Sequence, residues 1–120
     1  MLYRKLTQDE LHQLARERFG DDPMQWAFRC PNCDDVATLA EFVAAGADPG
    51  RTGQECIGRS LGALTKPSAT NRRGCDFSAY GLIPGPWEIV FPADVRRDRP
   101  EPYSVRSFPL ADAREGGEPQ

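Results

Sequence analysis

Four cysteines, Cys30, Cys33, Cys56 and Cys75, are the residues of this 120-residue chain best equipped to do chemistry. The first two lie in Arg29-Cys30-Pro31-Asn32-Cys33, a CxxC with a proline inside it, and gaps of 22 and 18 residues lead to the other two. Four thiolates are enough to close a tetrahedral zinc site. A CxxC turn suits that task because it aims two sulfurs at one ion while nearby backbone amides offset the first thiolate's charge. Pro31 fixes φ and removes an amide the turn does not need. Asn32 and Asp34 are residue types that tolerate left-handed turn conformations. Cys56 and Cys75 do not repeat the CxxC, so each is expected to arrive from its own strand end, with a loop between them.

Other chemistries fit less well. A catalytic zinc keeps an open position and is usually held by histidine or carboxylate. Here four cysteines saturate the ion, and the one histidine, His12, falls on a separate helix and is expected to be solvated. The H/C-x-E and P-C-x-x-C pair of zinc deaminases does not occur, nor does a GxSxG, a Walker loop or a GxGxxG. Enzyme activity is therefore not expected. The sharper rival is a thiol-disulfide oxidoreductase built on the CPNC sequence, since a CPxC ahead of a helix can have a depressed thiol pKa. That reading needs a βαβ frame the chain has little room for, and it leaves Cys56 and Cys75 unexplained.

The elements that must position the cysteines are short. Thr7-Gln8-Asp9-Glu10 fits a capping box, with Leu6 and Leu11 placed as a hydrophobic staple. Leu11, Leu14, Ala15 and Phe19 recur at helical spacing, and Gly20 stops the helix. Trp26-Ala27-Phe28 reads as a strand entering the CxxC. Thr38-Leu39-Ala40-Glu41 is a second capping box, opening a helix that ends at Gly46. Short strands are expected at 54–58, 75–82 and 87–91. Residues 60–73, rich in Ser, Thr and Gly, read as a loop inserted between the third and fourth cysteines. Beyond Pro92, prolines and charges predict a flexible tail over 93–120, although Tyr103, Val105, Phe108 and Leu110 could dock as one more strand. The fold class is accordingly α+β: a small zinc-ribbon-like domain over 1–92, with a short antiparallel sheet, two helices and a four-cysteine zinc site.

Mean hydropathy is −0.58, and Gly and Pro together supply 22 residues, so the core is thin and a structural metal would add to it. No apolar run approaches the ~20 residues of a membrane span, and residues 1–6 lack a signal-peptide stretch, which predicts a cytoplasmic chain with reduced thiols. Formal net charge is −3. The charge is uneven: residues 51–75 carry five bases, Arg51, Arg59, Lys66, Arg72 and Arg73, against the single acid Glu55. These five are the candidate partner-binding residues, touching either nucleic-acid phosphates or an acidic protein surface. The alternative is a solvated segment whose bases offset the charge of the thiolates.

Three stretches together carry a resemblance: Phe28-Arg29-Cys30-Pro31-Asn32-Cys33, Gln54-Glu55-Cys56-Ile57-Gly58-Arg59, and Gly74-Cys75-Asp76-Phe77-Ser78-Ala79-Tyr80-Gly81-Leu82. They resemble a group of small four-cysteine proteins of actinobacteria and their phages, over about residues 5–91, with a longer 60–73 loop here. The resemblance implies a zinc-ribbon-like domain of mobile-element origin and supplies no activity. The leading expectation is a non-enzymatic binding or adaptor protein, stabilised by structural Zn2+ and working through protein–protein contact, for instance as an inhibitor of a bacterial defence system such as CRISPR. Nucleic-acid binding through the 51–75 segment is the second reading, and thiol-disulfide exchange the third.

Overall fold

In the computed structural model, residues 3–61 and 74–112 are described. The chain is α+β, with two α-helices and two short sheets. It opens with β1 (Arg4–Thr7) and passes directly into α1 (Gln8–Phe19). The capping box forms in full: the Thr7 hydroxyl accepts from the Glu10 amide at 3.1 Å, and the Glu10 carboxylate accepts from the Thr7 amide at 2.8 Å. Gly20 follows the last turn, donating its amide to the Arg16 carbonyl. Fully buried Ala15, with Leu11, Leu14 and Phe19 packed around it, joins Leu6, Trp87 and Ile89 in the main core cluster.

β2 (Ala27–Arg29) and β3 (Val36–Thr38) form an antiparallel hairpin whose connection is the CxxC turn. α2 (Leu39–Ala44) begins at once, capped by the predicted Thr38–Glu41 box. Its Phe42 is buried with Ala37 and Ile57 in a satellite cluster. β4 (Trp87–Phe91) follows the last cysteine, as the alternation of its side chains predicts.

The sheet differs from the expected antiparallel one. Its order is β1-β4-β5, with β1 parallel to β4 and β5 (Tyr103–Ser107) antiparallel to it. β1 escapes sequence reasoning because three of its four residues are exposed and only Leu6 is buried, which leaves no alternation to read. The predicted strands at 54–58 and 75–82 shrink to one bridge, Glu55 with Ser78, flanked by Cys56 N–H to Phe77 O (3.0 Å) and Ala79 N–H to Gln54 O (2.7 Å). A 3-10 turn over Ile57–Arg59 replaces the end of the first, and turns from Ala79 onward replace the rest of the second.

The expectation of a flexible tail from residue 93 also fails as far as residue 112. β5 covers the edge of β4, and Phe108, Leu110 and Ala111 are buried. Residues 109–111 run along β2, through Arg29 N–H to Pro109 O and Ala111 N–H to Ala27 O, both 2.9 Å. Proline and charge content speak for local disorder. Here a few spaced apolar residues and two open strand edges outweigh it. The domain therefore reaches well past residue 92. The loop expected over 60–73 lies, from residue 62 on, outside the described residues, as does the end of the chain from 113.

Candidate metal centre

The four predicted ligands come together. Their sulfurs all lie within 4.8 Å of one another. The shortest separations are Cys30 to Cys75 and Cys33 to Cys56, each 3.7 Å. These are not disulfides; all four thiols are free. Four sulfurs ~2.3 Å from one ion at tetrahedral corners stand about 3.8 Å apart, so the observed spacing fits a four-coordinate metal. The two closest pairs each join the CxxC to the later cysteines, so neither half forms a site without the other.

The first half is a tight knuckle on the β2–β3 hairpin. Asp34 N–H donates to Cys30 O (2.8 Å), and Cys30 N–H donates to Asp35 O (2.9 Å). Asp34 adopts φ +66°, the left-handed conformation its type tolerates. The second half has no CxxC but reproduces the same device twice. Cys56 precedes the Ile57–Arg59 turn, and its sulfur accepts from the amides of Cys75 (3.2 Å) and Gly58. The Cys75 sulfur accepts from the Phe77 amide and the Asn32 side-chain amide, each at 3.4 Å. Amide donors of this kind stabilise a thiolate.

Cys30, Cys33 and Cys56 titrate together. The proton shared between Cys30 and Cys56 pushes Cys30 up and pulls Cys56 down to about 5. Burial, with the Cys56 charge beside it, pushes Cys33 up to about 12. Four sulfurs this close cannot all ionise on their own, and a divalent cation is what would let them. Phe108 packs over this cluster with Cys30, Cys56 and Ala79 and stacks on Phe77, ring centroids 5.9 Å apart, so the site has an apolar lining.

The basic residues behave differently from a free binding surface. Arg51 and Arg59 turn toward Glu55, which is only 3% exposed. Arg51 Nη1 reaches its carboxylate at 2.9 Å, Arg59 Nε at 3.6 Å, and the Tyr80 hydroxyl donates to it as well. Arg59 Nη1 also donates to Asp76 O at 2.7 Å, tying the Cys56 turn to the Cys75 segment. Lys66, Arg72 and Arg73 lie outside the described residues. His12, expected to be solvated, is half-buried with its ring 5.4 Å from that of Trp26.

Sequence reasoning missed Glu55, Gly58, Gly74 and Phe108 as parts of the centre. The first had a readable signal, since it sits four residues from an arginine on either side. Each of the two glycines stands within two residues of a ligand cysteine. Phe108 could be read only as part of a docking strand with Tyr103, Val105 and Leu110, and nothing local ties it to the cysteines.

Fold and site together define a small α+β protein organised around a four-thiol cluster suited to a metal ion. The chain belongs to the VVA0879-like family, whose model matches residues 7–102. No curated protein and no solved structure matches it. Among the described residues no helix is long and apolar enough to cross a membrane.

Proposed function

We propose that this protein is a zinc-stabilised, zinc-ribbon-like binding module that acts through protein–protein contact and has no catalytic role. The observation that carries the metal reading is the quartet of sulfurs within 4.8 Å, with two cross-pairs at 3.7 Å. A four-sulfur set favours zinc or iron among the common metals, and zinc needs no redox partner. All four positions are filled by thiolate, so the ion has no open site for substrate. Its role is to join the hairpin knuckle to the Cys56 and Cys75 segments.

Support for protein contact comes from the turn that follows the last ligand. Leu82 is 104% exposed, Ile83 73% and Tyr80 57%. The base of this turn is held by Gly85 N–H to Ala79 O (2.9 Å) and Arg106 Nε to Gly85 O (2.8 Å). Three large apolar side chains within four positions on a pinned turn form an exposed patch, which suits a partner groove. The nucleic-acid reading has less to rest on, because both described bases of the 51–75 segment are engaged by Glu55.

Elemental analysis of protein purified without added metal tests the first half. One zinc per chain is expected; four titratable thiols with no metal would overturn it. Affinity capture from host lysate with wild type and with Leu82→Ser/Ile83→Ser tests the second. Loss of one defined partner in the variant is expected, and equal capture would remove the turn from the reading.

A further inference from the structure

Away from the thiols, a cleft of about 380 Å3 opens between β4, β5, α1 and the turn around residue 50. Its walls are mostly apolar: Leu11, Phe28, Ile89, Phe91 and Val105. Among the described lining residues, Arg99 is the one that carries a charge. Its guanidinium carbon lies 4.3 Å from the centroid of the Tyr103 ring. Tyr103 is stacked in turn on Phe91, at 5.0 Å and 9°. The Arg99 backbone is fixed by reciprocal bonds with Asp94, 2.7 and 3.0 Å. No carboxylate pairs with Arg99 among the described residues, whereas Arg18, Arg51, Arg59 and Arg97 each have one. Thr52, also in the wall, has a buried hydroxyl oxygen with no partner among the described residues.

We propose that this cleft binds a carboxylate carried on a small apolar body, about one aromatic ring or branched alkyl group in size. Ligand sites of a few hundred Å3 are typically apolar with a few polar groups that fix orientation. Arg99 supplies the fixed charge. With its guanidinium carbon over the Tyr103 ring, Arg99 uses the ring face as a support and leaves its N–H donors for a carboxylate, which a guanidinium can meet with two parallel hydrogen bonds. Ile89, Phe91 and Val105 take the apolar body. The same chemistry is found in a free acid and in the C-terminal residue of a partner chain.

The test uses the full chain as purified and four probes: 3-phenylpropionate, its amide, a hexapeptide ending in phenylalanine with a free carboxyl, and that peptide amidated. Binding is read by calorimetry and by chemical-shift change. At least one free acid is expected to bind saturably, with its amide and the Arg99→Ala variant each weaker by about ten-fold or more. Arg96→Ala, an exposed arginine outside the cleft, keeps wild-type affinity. A peptide at least ten-fold tighter than 3-phenylpropionate assigns the site to protein C-termini, and equal affinities assign it to free acids. No saturable binding by either acid, or equal binding of acid and amide, or an unaffected Arg99→Ala, overturns the proposal. Metal content is measured separately, so failure here leaves the zinc reading untouched.

Discussion

Gly58 and Gly74 face one another with no room for a side chain on either. A Cβ on Gly58 would stand 2.4 Å from the Cys75 amide nitrogen, and one on Gly74 would stand 2.6 Å from the Gly58 amide nitrogen and 2.9 Å from the Cys56 sulfur. This close approach brings the third and fourth cysteines into one cluster although 18 residues separate them. Gly58→Ala is therefore expected to cost about 3 kcal/mol or more, because backbone must move to admit the methyl. It should also weaken metal retention in a chelator competition. Gly50→Ala is the control: its nearest contact is the Asp48 carboxylate at 3.3 Å, which can swing aside, and a change under about 1 kcal/mol is expected.

Metal removal should be more severe. Apparent zinc-binding free energies of ~10–16 kcal/mol in zinc-finger peptides match or exceed the whole stability of a small domain, ~5–15 kcal/mol. Cys30→Ser, Cys56→Ser or exhaustive chelation is expected to abolish the cooperative thermal transition followed by circular dichroism. A chelated sample that melts like the untreated one would contradict a structural role for the ion.

Metal affinity should fall as pH falls. In the metal-free cluster Cys30 and Cys33 are pushed up, Cys33 to about 12, so both carry protons at neutral pH that a metal must displace. Cys56, pulled down to about 5, is already ionised there and releases none. Raising pH helps ligation by removing competing protons from Cys30 and Cys33, and lowering it toward 5 begins to protonate Cys56 as well. Cobalt substitution, with its thiolate charge-transfer absorbance followed across pH 8 to 5, checks the sign; absorbance that rises with acid would refute it.

Glu55 offers a test of the network behind the ligands. Breaking a buried ion pair from the buried side leaves its partners stranded. Arg51 and Arg59 side chains are 54% and 30% exposed, however, and can recover solvation. Glu55→Gln is therefore expected to cost about 1–3 kcal/mol, below the range for a fully buried pair. Arg59→Ala should cost more than Arg51→Ala, since only Arg59 also holds Asp76 O. Urea melts of the four proteins decide the order.

The clustering of the cysteines and both helix starts were legible from local chemistry: a CxxC turn that calls for two further thiols, and a threonine three residues before a glutamate. The mixed sheet was not. β1 buries one side chain, and its partner lies about 80 residues away, so no window of sequence contains the pairing. The end of the domain was hidden for a related reason. Phe108 lies among prolines and charges yet is 2% exposed against the thiol cluster. Phe108→Ala is expected to cost about 3–5 kcal/mol, and truncation after residue 92 to prevent folding. A 1–92 fragment that binds metal and melts cooperatively would restore the earlier boundary.

The parallel pairing of β1 with β4 has a consequence for how the chain is made. The hairpin that carries Cys30 and Cys33 closes within 12 residues, Ala27 to Thr38, and can form as soon as it leaves the ribosome. β1 emerges before it but must wait for Trp87–Phe91, and the strap over the thiols waits for Phe108. Contacts of long sequence separation form slowly, because their loop-closure entropy falls due before they bring any gain. β1 is therefore synthesised before the hairpin yet is among the last of the described strands to be paired. Until then Arg4–Thr7 is a solvated segment whose two cations and single buried-type side chain, Leu6, give it little cause to aggregate.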